Sequence, residues 1–289
     1  MTEAQLRVLV AVADRGGFSP AAAELAMSQP GVSRAVAALE SELGAPLLSR
    51  GNGRAAPTAA GERVLRHARE VLGRLEAIRQ EAAAGSGRTT GRVRLGTFAS
   101  VSARLLPGIL ATLRARHPDV EVALFEGHDE EVLGWVRRRA VDVGVVSRSA
   151  PDLDTRPLAR DELLAVLPTG HPLAGEAAIT LDALAGEPFV LSRGGCETLI
   201  YDTFGGAGLE PQVAFEVREV PTGVAMVAEG LGVSLIPELA VGAAPLGVVL
   251  RPLAPRVARR LSLAVPSVAD APPAVRALLD TALSSAEQM

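Results

Sequence analysis

Apolar positions recur at steps of three and four over Leu6, Leu9, Val10 and Ala13, and again over Val32, Val36, Leu39 and Leu43. Each run is one stripe along a helix. Thr2 and Gln5 stand at capping-box spacing, so the first helix is expected to run from there to about Gly16, where Gly16-Gly17 breaks it. Ser19 with Pro20 behind it reads as the start of a second helix ending near Met27, and Ser28 as the cap of a third. Two short helices joined by three residues form a helix-turn-helix. The pattern then changes. "LGAPLLSRGNGRAAPTAAG", residues 43–61, reads as a strand, an Asn52-Gly53 turn and a second strand, with Arg50 and Arg54 flanking the tip.

At 100° per residue the third helix has two unlike faces. Val32, Val36, Leu39 and Leu43 fall on one, with Ala35 at its edge; Pro30, Ser33, Arg34, Ala37 and Ser41 fall on the other. Apart from Arg34 the second face is small, which suits close approach to base edges in a major groove. Ser28, Gln29 and Pro30 open the helix, whose N-terminal N–H groups suit a phosphate. An ordinary solvated surface would also satisfy this pattern. The arginine-flanked hairpin that follows is placed as a wing, able to reach the flanking backbone.

From Thr58 to about Ala84 the chain reads as one helix of roughly 40 Å. Gly61, Val64, Ala68, Val71, Leu75, Ile78 and Ala82 form a heptad seam, with Leu65 and Leu72 on one flank. The seam calls for a partner, either a second copy or the helix's own domain. "AAAGSGRTTG", residues 82–91, has the composition of a flexible linker.

Strand and helix patterns alternate afterwards. "GRVRLGTF", a helix from near Ser100, "DVEVALFEG", a helix over 129–139 and "VDVGVVS" give βαβαβ and a mostly parallel sheet. The theme restarts with "DELLAVLP", "EPFVLS", a helix from about Glu197, "VAFEVRE", a helix from Thr222 and "GVSLIP". "RRLSLAVP" and a helix over 272–285 close it. The expected fold class is α/β: an all-α winged helix-turn-helix N-terminal domain, a long linker helix and a two-lobed α/β domain. The expected divisions are 1–58, 59–91 and 92–289, the last split into lobe I (92–163 plus 266–289) and lobe II (164–265). A cleft between the lobes would lie at the strand C-termini, where such sheets bind ligands.

Composition narrows the chemistry. The 289 residues are 48% hydrophobic with a formal net charge of -4, the balance of a globular chain. No apolar run approaches the roughly 18 residues of a membrane span, and the N-terminus lacks a basic signal region, so a cytoplasmic protein without a membrane partner is expected. All 29 basic residues are arginine. Residues 1–90 hold 11 of them against nine acids, a weak basic excess, so the case for DNA rests on pattern rather than charge. Cys196 is the only cysteine, which rules out an intrachain disulfide or a Cys-rich zinc site. His117 and His171 each precede proline, His67 lies on the linker helix, and His128 sits beside Asp129 with no nucleophile motif. No phosphate-loop or metal spacing is present. Neither an enzyme nor a cofactor is expected.

The stretch "FSPAAAELAMSQPGVSRAVAALESELGAPLLSRGNGRAAPTAAG" resembles the winged helix-turn-helix of LysR-type transcriptional regulators. The carriers are Phe18-Ser19, Ala21-Ala22, Leu25, Ser28-Gln29-Pro30, Val32-Ser33, Leu39-Glu40, Leu43-Gly44, Leu47, Arg50, Thr58 and Gly61. Leu48 stands where phenylalanine is usual and Ala35 where glutamine is, which removes a base contact. "LLPGILATLRARHPDVEV", "VDVGVV" and "VAEGLGVSLIP" resemble the family's effector-binding domain, itself like periplasmic binding proteins. There Arg139 replaces a common glycine.

The resemblance implies a regulator that binds double-stranded operator DNA through Ser28, Gln29, Pro30, Ser33, Arg34, Arg50 and Arg54, its action modulated by a small-molecule effector. It also implies a homodimer through antiparallel linker helices, a homotetramer through the effector domains, and RNA polymerase as a further partner. Ser100 matches a Ser or Thr that holds effectors in the family. Thr97, Ser147, Cys196 and Thr222 are placed around the same cleft by their positions at element ends. Asp129, where many relatives carry Ser or Thr, suggests a ligand bearing an amine, with Arg148 and Arg193 as counter-charges if they point inward. Capping alone also accounts for Thr222. Cys196 is either inert, a ligand contact or a redox sensor. A ligand-independent regulator, and a solute-binding protein or enzyme with an incidental head, are the competing readings.

Overall fold

The computed structural model describes residues 1–51, 54–193, 195–242 and 246–286. The chain divides into two compact units, Met1–Gly91 with Arg138–Ala140, and Arg92–Arg137 with Val141–Met289.

The first unit holds α1 (Glu3–Arg15), α2 (Phe18–Glu24), α3 (Gln29–Leu43), β1 (Leu48–Gly51), β2 (Arg54–Pro57) and α4 (Ala59–Ala84). Thr2 and Gln5 form the reciprocal capping box of α1, and Gly16 ends that helix with a left-handed φ of 65°. Helix α2 starts earlier than its Ser19-Pro20 pair suggests. Its cap is Gly17, and Pro20 lies inside the first turn, where a missing N–H costs nothing. It stops at Glu24, short of Met27, and Ala26 turns through a left-handed φ of 51°. Leu6, Leu9, Val12, Ala21, Val32, Val36, Leu39, Leu47 and Leu65 form the core. Leu43 is 41% exposed, because α3 runs past the core before Gly44 ends it.

A knot of short-range bonds fixes the hairpin and α4 on this core. The Glu40 carboxylate accepts the N–H groups of Leu47 and Leu48 at 2.7 and 3.0 Å. The Thr58 hydroxyl donates to the Pro46 carbonyl at 2.8 Å and accepts the Gly61 N–H at 2.9 Å. Helix α4 thereby lies so close to the start of the hairpin that a Cβ on Gly61 would sit 1.9 Å from the Leu47 carbonyl oxygen. Strands β1 and β2 pair antiparallel from Leu48↔Pro57 to Gly51↔Arg54. The Asn52-Gly53 turn, and the side chains of Arg50 and Arg54, lie outside the described residues. The α4 seam is used unevenly: Gly61, Leu65 and Ala68 are buried, whereas Val71 is 45% and Ile78 66% exposed.

The second unit continues with β3 (Gly91–Thr97), α5 (Ala99–Arg104), α6 (Leu106–Arg116), β4 (Val120–Glu126), α7 (Asp129–Arg137), β5 (Val143–Val146) and β6 (Asp154–Pro168). It ends with α8 (Leu181–Ala185), β7 (Pro188–Ser192), α9 (Glu197–Gly206), β8 (Gln212–Val217), α10 (Val220–Ala228), β9 (Ser234–Pro237), β10 (Val248–Pro252), β11 (Ala258–Val265) and α11 (Pro273–Ala286). The helix expected near Ser100 is two helices, divided at Leu105 ahead of Pro107. Strand β10 and helix α8 had no expectation.

The main sheet runs β10-β6-β11-β5-β3-β4, with β9 also on β6, and β7 pairs separately with β8. It is mixed rather than mostly parallel. β3 and β5 run parallel, but β11 is antiparallel to both β5 and β6, and β6 is antiparallel to β9 and β10. The cause is β6, whose 15 residues pass from one lobe to the other while β11 returns beside it. Leu158 packs in the core with Val93, Leu95, Ile109 and Val143; Leu163, Ala165 and Leu167 pack in the core with Phe189, Phe204 and Leu235. Leu261, Leu263 and Val265 of β11 already belong to the first of these cores, so the chain re-enters it well before residue 266. Arg139 takes a left-handed φ of 55°, the conformation that favours glycine.

Two glycines of α4 make a test. Gly61→Ala forces helix and hairpin apart and is expected to cost about 1–3 kcal/mol. A Cβ on Gly73 meets nothing, so Gly73→Ala is expected to stabilise α4 by up to about 1 kcal/mol. Thermal unfolding of the two variants is expected to move in opposite directions. A Gly61→Ala protein as stable as wild type would contradict this packing.

Candidate nucleic-acid interface and ligand cleft

Helix α3 is amphipathic in the sense its sequence implies. Val32, Val36 and Leu39 are fully buried, while Gln29, Pro30, Arg34, Ala37 and Ser41 are exposed and Ser33 is half-buried. The Ser28 hydroxyl accepts the Gly31 N–H at 3.2 Å, so its first task is to cap. Arg34 has no carboxylate or carbonyl partner among the described residues and projects a free guanidinium from a small-residue surface. Ala35 packs half-buried on the core, which accounts for an apolar residue there. The capping knot sets the position of this helix against the hairpin. Glu40 is its one member on α3, a positioning residue that expectation placed only within a motif.

In the second unit the expected cleft residues separate into groups. Asp129, buried at the start of α7, accepts the Ser147 N–H at 2.8 Å and the Ser147 hydroxyl at 2.9 Å. This pair ties α7 to the end of β5. Thr97 is fully buried. Thr222 is exposed and sits inside the first turn of α10 rather than capping it, since the helix begins two residues earlier at Val220. Arg148 and Arg193 do not turn inward to offset Asp129. Arg148 pairs with Glu130 at 3.5 Å on the surface, and Arg193 pairs with Glu216 at 3.0 Å on the rim of a cavity. This open cavity of about 440 Å³ separates His128 on the first lobe from Arg193, Glu197, Glu216, Val217 and Arg218 on the second.

Ser100 has a partner that expectation missed. Its hydroxyl oxygen accepts Arg259 Nη2 at 3.1 Å. Arg259 is on β11, and its guanidinium also donates Nε to Asp161 at 3.1 Å, binds Asp161 through Nη2, and lies 5.0 Å from the Phe98 ring centroid. Asp161, on β6, faces Arg259 directly in the strand register and takes the Leu239 N–H at 3.0 Å. The two side chains are 6% and 0% exposed. A sequence signal for them exists. Arg259 is in phase with Leu261 and Leu263, and Asp161 with Leu163, Ala165 and Leu167, so each charge stands on the apolar face of its strand.

Cys196 begins α9 without capping it and is buried. Burial pushes its thiol up to about 11; Arg259 pulls the other way, while Glu197, Asp161 and Asp129 add to the rise. The group is therefore a neutral thiol at neutral pH. Among the described residues no set of His, Cys, Asp and Glu is grouped to hold a metal, and no helix is long and apolar enough to cross a membrane.

Residues 4–62 match the family model "Bacterial regulatory helix-turn-helix protein, lysR family", and residues 86–287 match "LysR substrate binding domain". The Bacillus subtilis (strain 168) protein "Uncharacterized HTH-type transcriptional regulator YvbU" is 37% identical over 286 residues, 98% of each chain. A Mycobacterium avium protein called "Probable hydrogen peroxide-inducible genes activator" is 34% identical, covering 83% of this chain and 79% of that one. A full-length cysteine-to-aspartate variant of OxyR from Pseudomonas aeruginosa superposes with a TM-score of 0.78 at 26% identity over 97% of each chain.

The state of Cys196 sets a measurable rate. A thiol with a pKa about 11 is ionised to about one part in 10⁴ at pH 7, against a few per cent for an ordinary cysteine. Iodoacetamide at pH 7 is expected to alkylate the native protein a few hundredfold more slowly than the urea-unfolded chain, followed by mass spectrometry. Equal rates would show the thiol open and ionised.

Proposed function

The chain belongs to the LysR family of DNA-binding transcriptional regulators with an effector-binding domain, and from that membership we propose how its residues divide the work. Residues 1–58 read operator DNA, 59–91 join two copies, and the lobes of 92–289 close on a small-molecule effector. The observation that carries this reading is the outer face of α3, an exposed surface of small residues with one unpaired arginine. Ser33 and Arg34 contact base edges or the adjacent phosphates; Ser28, Gln29 and Pro30 approach the backbone. Arg50 and Arg54 lie on the wing strands β1 and β2, which supports contacts to flanking phosphates.

The exposed Val71 and Ile78 favour a second copy of α4 as the partner of the seam, with tetramers forming through the effector domains. The regulator acts in the cytoplasm, without a cofactor and without catalysis, and RNA polymerase is the partner at the promoter. Ser100 is the central effector residue, with Asp129 and Ser147 on one side and Cys196 across from them. An amine on the ligand is directed at Asp129, whose oxygens each hold one Ser147 donor and retain a second acceptor site. Thr97 and Thr222 contribute only if the lobes move, since one is buried and the other faces solvent. A response to peroxide is not carried over from the relative named for it. Such a response needs a thiolate, and burial keeps Cys196 protonated.

Gel shifts with the chain's own upstream DNA test the reading face. Arg34→Ala is expected to lose about 1–3 kcal/mol of site-specific binding, whereas Arg50→Ala or Arg54→Ala is expected to weaken all sequences alike and flatten the salt dependence. Unchanged operator affinity and base preference in Arg34→Ala would remove the assignment.

Val71→Asp tests the seam. A charge buried between two copies of α4 has no partner and is strongly unfavourable. Light scattering is expected to show dissociation of the dimer, and an undisturbed dimer would exclude α4 as the interface.

A further inference from the structure

Arg259 and Ser100 form a cluster that offers hydrogen-bond donors and almost no acceptors. Asp161, the only carboxylate in the cluster, is spent. Its Oδ1 takes the Leu239 N–H, and its Oδ2 takes both Nε and Nη2 of Arg259. Arg259 Nη1 has no partner among the described residues, yet it is not sealed away from solvent. Ser100 uses its oxygen to accept Arg259 Nη2, and its own hydroxyl hydrogen has no acceptor among the described residues. Two donors on neighbouring groups are therefore unspent where the lobes meet, one of them on a guanidinium that is 6% exposed.

A guanidinium has no acceptor atom, so an unspent donor in a mostly enclosed place calls for an acceptor from outside the chain. The group that satisfies both donors has two acceptor oxygens on one carbon. A primary amide supplies one oxygen and turns an NH₂ against the second donor. The charged donor also makes the stronger bond to an ionised acceptor. Resting on the assignment of Ser100 to the effector cleft, we infer that Arg259 is a specificity-determining residue of that cleft and that the effector is a small carboxylate, held by Arg259 Nη1 and the Ser100 hydroxyl. Asp161 keeps the guanidinium oriented and in register without competing for the ligand. Asp129 and Glu197 keep their charge while accepting the Ser147 donors and the Gly195 N–H at 2.9 Å, so they disfavour a bare anion and select a carboxylate with a positive charge beside it. A carboxylate that also bears an ammonium satisfies both ends.

The test is a thermal-shift and calorimetry series with matched carboxylates and amides on the full-length protein: lactate and lactamide, nicotinate and nicotinamide, alanine and alaninamide. Wild type is expected to prefer at least one carboxylate to its amide by on the order of tenfold. Arg259→Gln alone strands a buried carboxylate, so it is paired with Asp161→Asn to leave a neutral hydrogen-bonded pair in the same place. The double variant is expected to fold and to lose the preference. Far-ultraviolet circular dichroism checks the fold, and Arg259→Lys, which keeps the charge and loses the fork, is expected to retain part of the preference. A preference that survives in the double variant overturns the inference, as does a series in which no carboxylate stabilises wild type. A ligand lost on Ser100→Val but indifferent both to its carboxylate and to Arg259 would uphold the cleft and sink the anion. One indifferent to Ser100 as well would sink both.

Discussion

Both lobes of the larger unit hang on two antiparallel strands, and where β6 and β11 pass between the cores their facing side chains are Arg259 and Asp161. Placing an ion pair there is an expensive choice. Two charges taken out of water recover their desolvation cost only with good geometry and further hydrogen bonds, and a well-packed apolar pair is often as stable. The further bonds are present: the Leu239 N–H on the carboxylate, and the Ser100 hydroxyl and Phe98 ring on the guanidinium. Each comes from a different part of the chain, so the pair fixes β6 against β11 and holds the start of α5 to the point of crossing. A slip of β11 by one residue would turn Arg259 to the opposite face and leave Asp161 without its partner. The pair contributes specificity of arrangement more than stability, and it leaves charge at the junction of the two lobes.

The smaller unit follows the same logic with side chains that bond to the backbone. Its helices bury an ordinary apolar core, but the alignment of α3 with the hairpin depends on the carboxylate of Glu40 and the hydroxyl of Thr58, which satisfy backbone groups that the turn into the hairpin leaves unpaired. Gly61 then allows helix and carbonyl to approach within a distance no side chain permits. The arrangement joins α3, the hairpin and α4 closely. A rotation of α4 about its axis would therefore carry the exposed face of α3 with it.

Several charges on the surface of the larger unit are paired. Arg148, Arg193, Arg137 and Arg256 each meet a carboxylate at the surface, where such pairs contribute little to stability and mostly reduce net charge. Arg259 differs from these in being enclosed with one nitrogen unspent, and Arg34 in being exposed and unpaired on α3. They stand in separate units and suit different ligands. DNA phosphates and bases need an accessible, mobile guanidinium; a small carboxylate needs one already oriented and partly dried.

What the sequence determined by itself was local. The caps at Thr2, Ser28 and Thr58, the two faces of α3, the span of α4 and the identity of most strands depend on neighbours within one or two turns, and each was legible from spacing. The family was legible too, because its motif is a chain of such local requirements ending in Thr58 and Gly61. Tertiary structure decided the rest. Nothing near Val71 distinguishes it from Ala68, yet one is exposed and the other buried, because only the first turns of α4 reach the core. The mixed sheet depends on a 15-residue strand crossing two cores, whereas repeating βα patterns suggest parallel order. Ser100, Asp161 and Arg259 meet across up to 159 residues of chain, while Arg148 pairs with Glu130 at the surface and Arg193 with Glu216 on the wall of the cavity. The phase of Arg259 with Leu261 marked it as inward-facing. Which carboxylate would meet it there is a matter of strand register, and register is set by the packing of both lobes together.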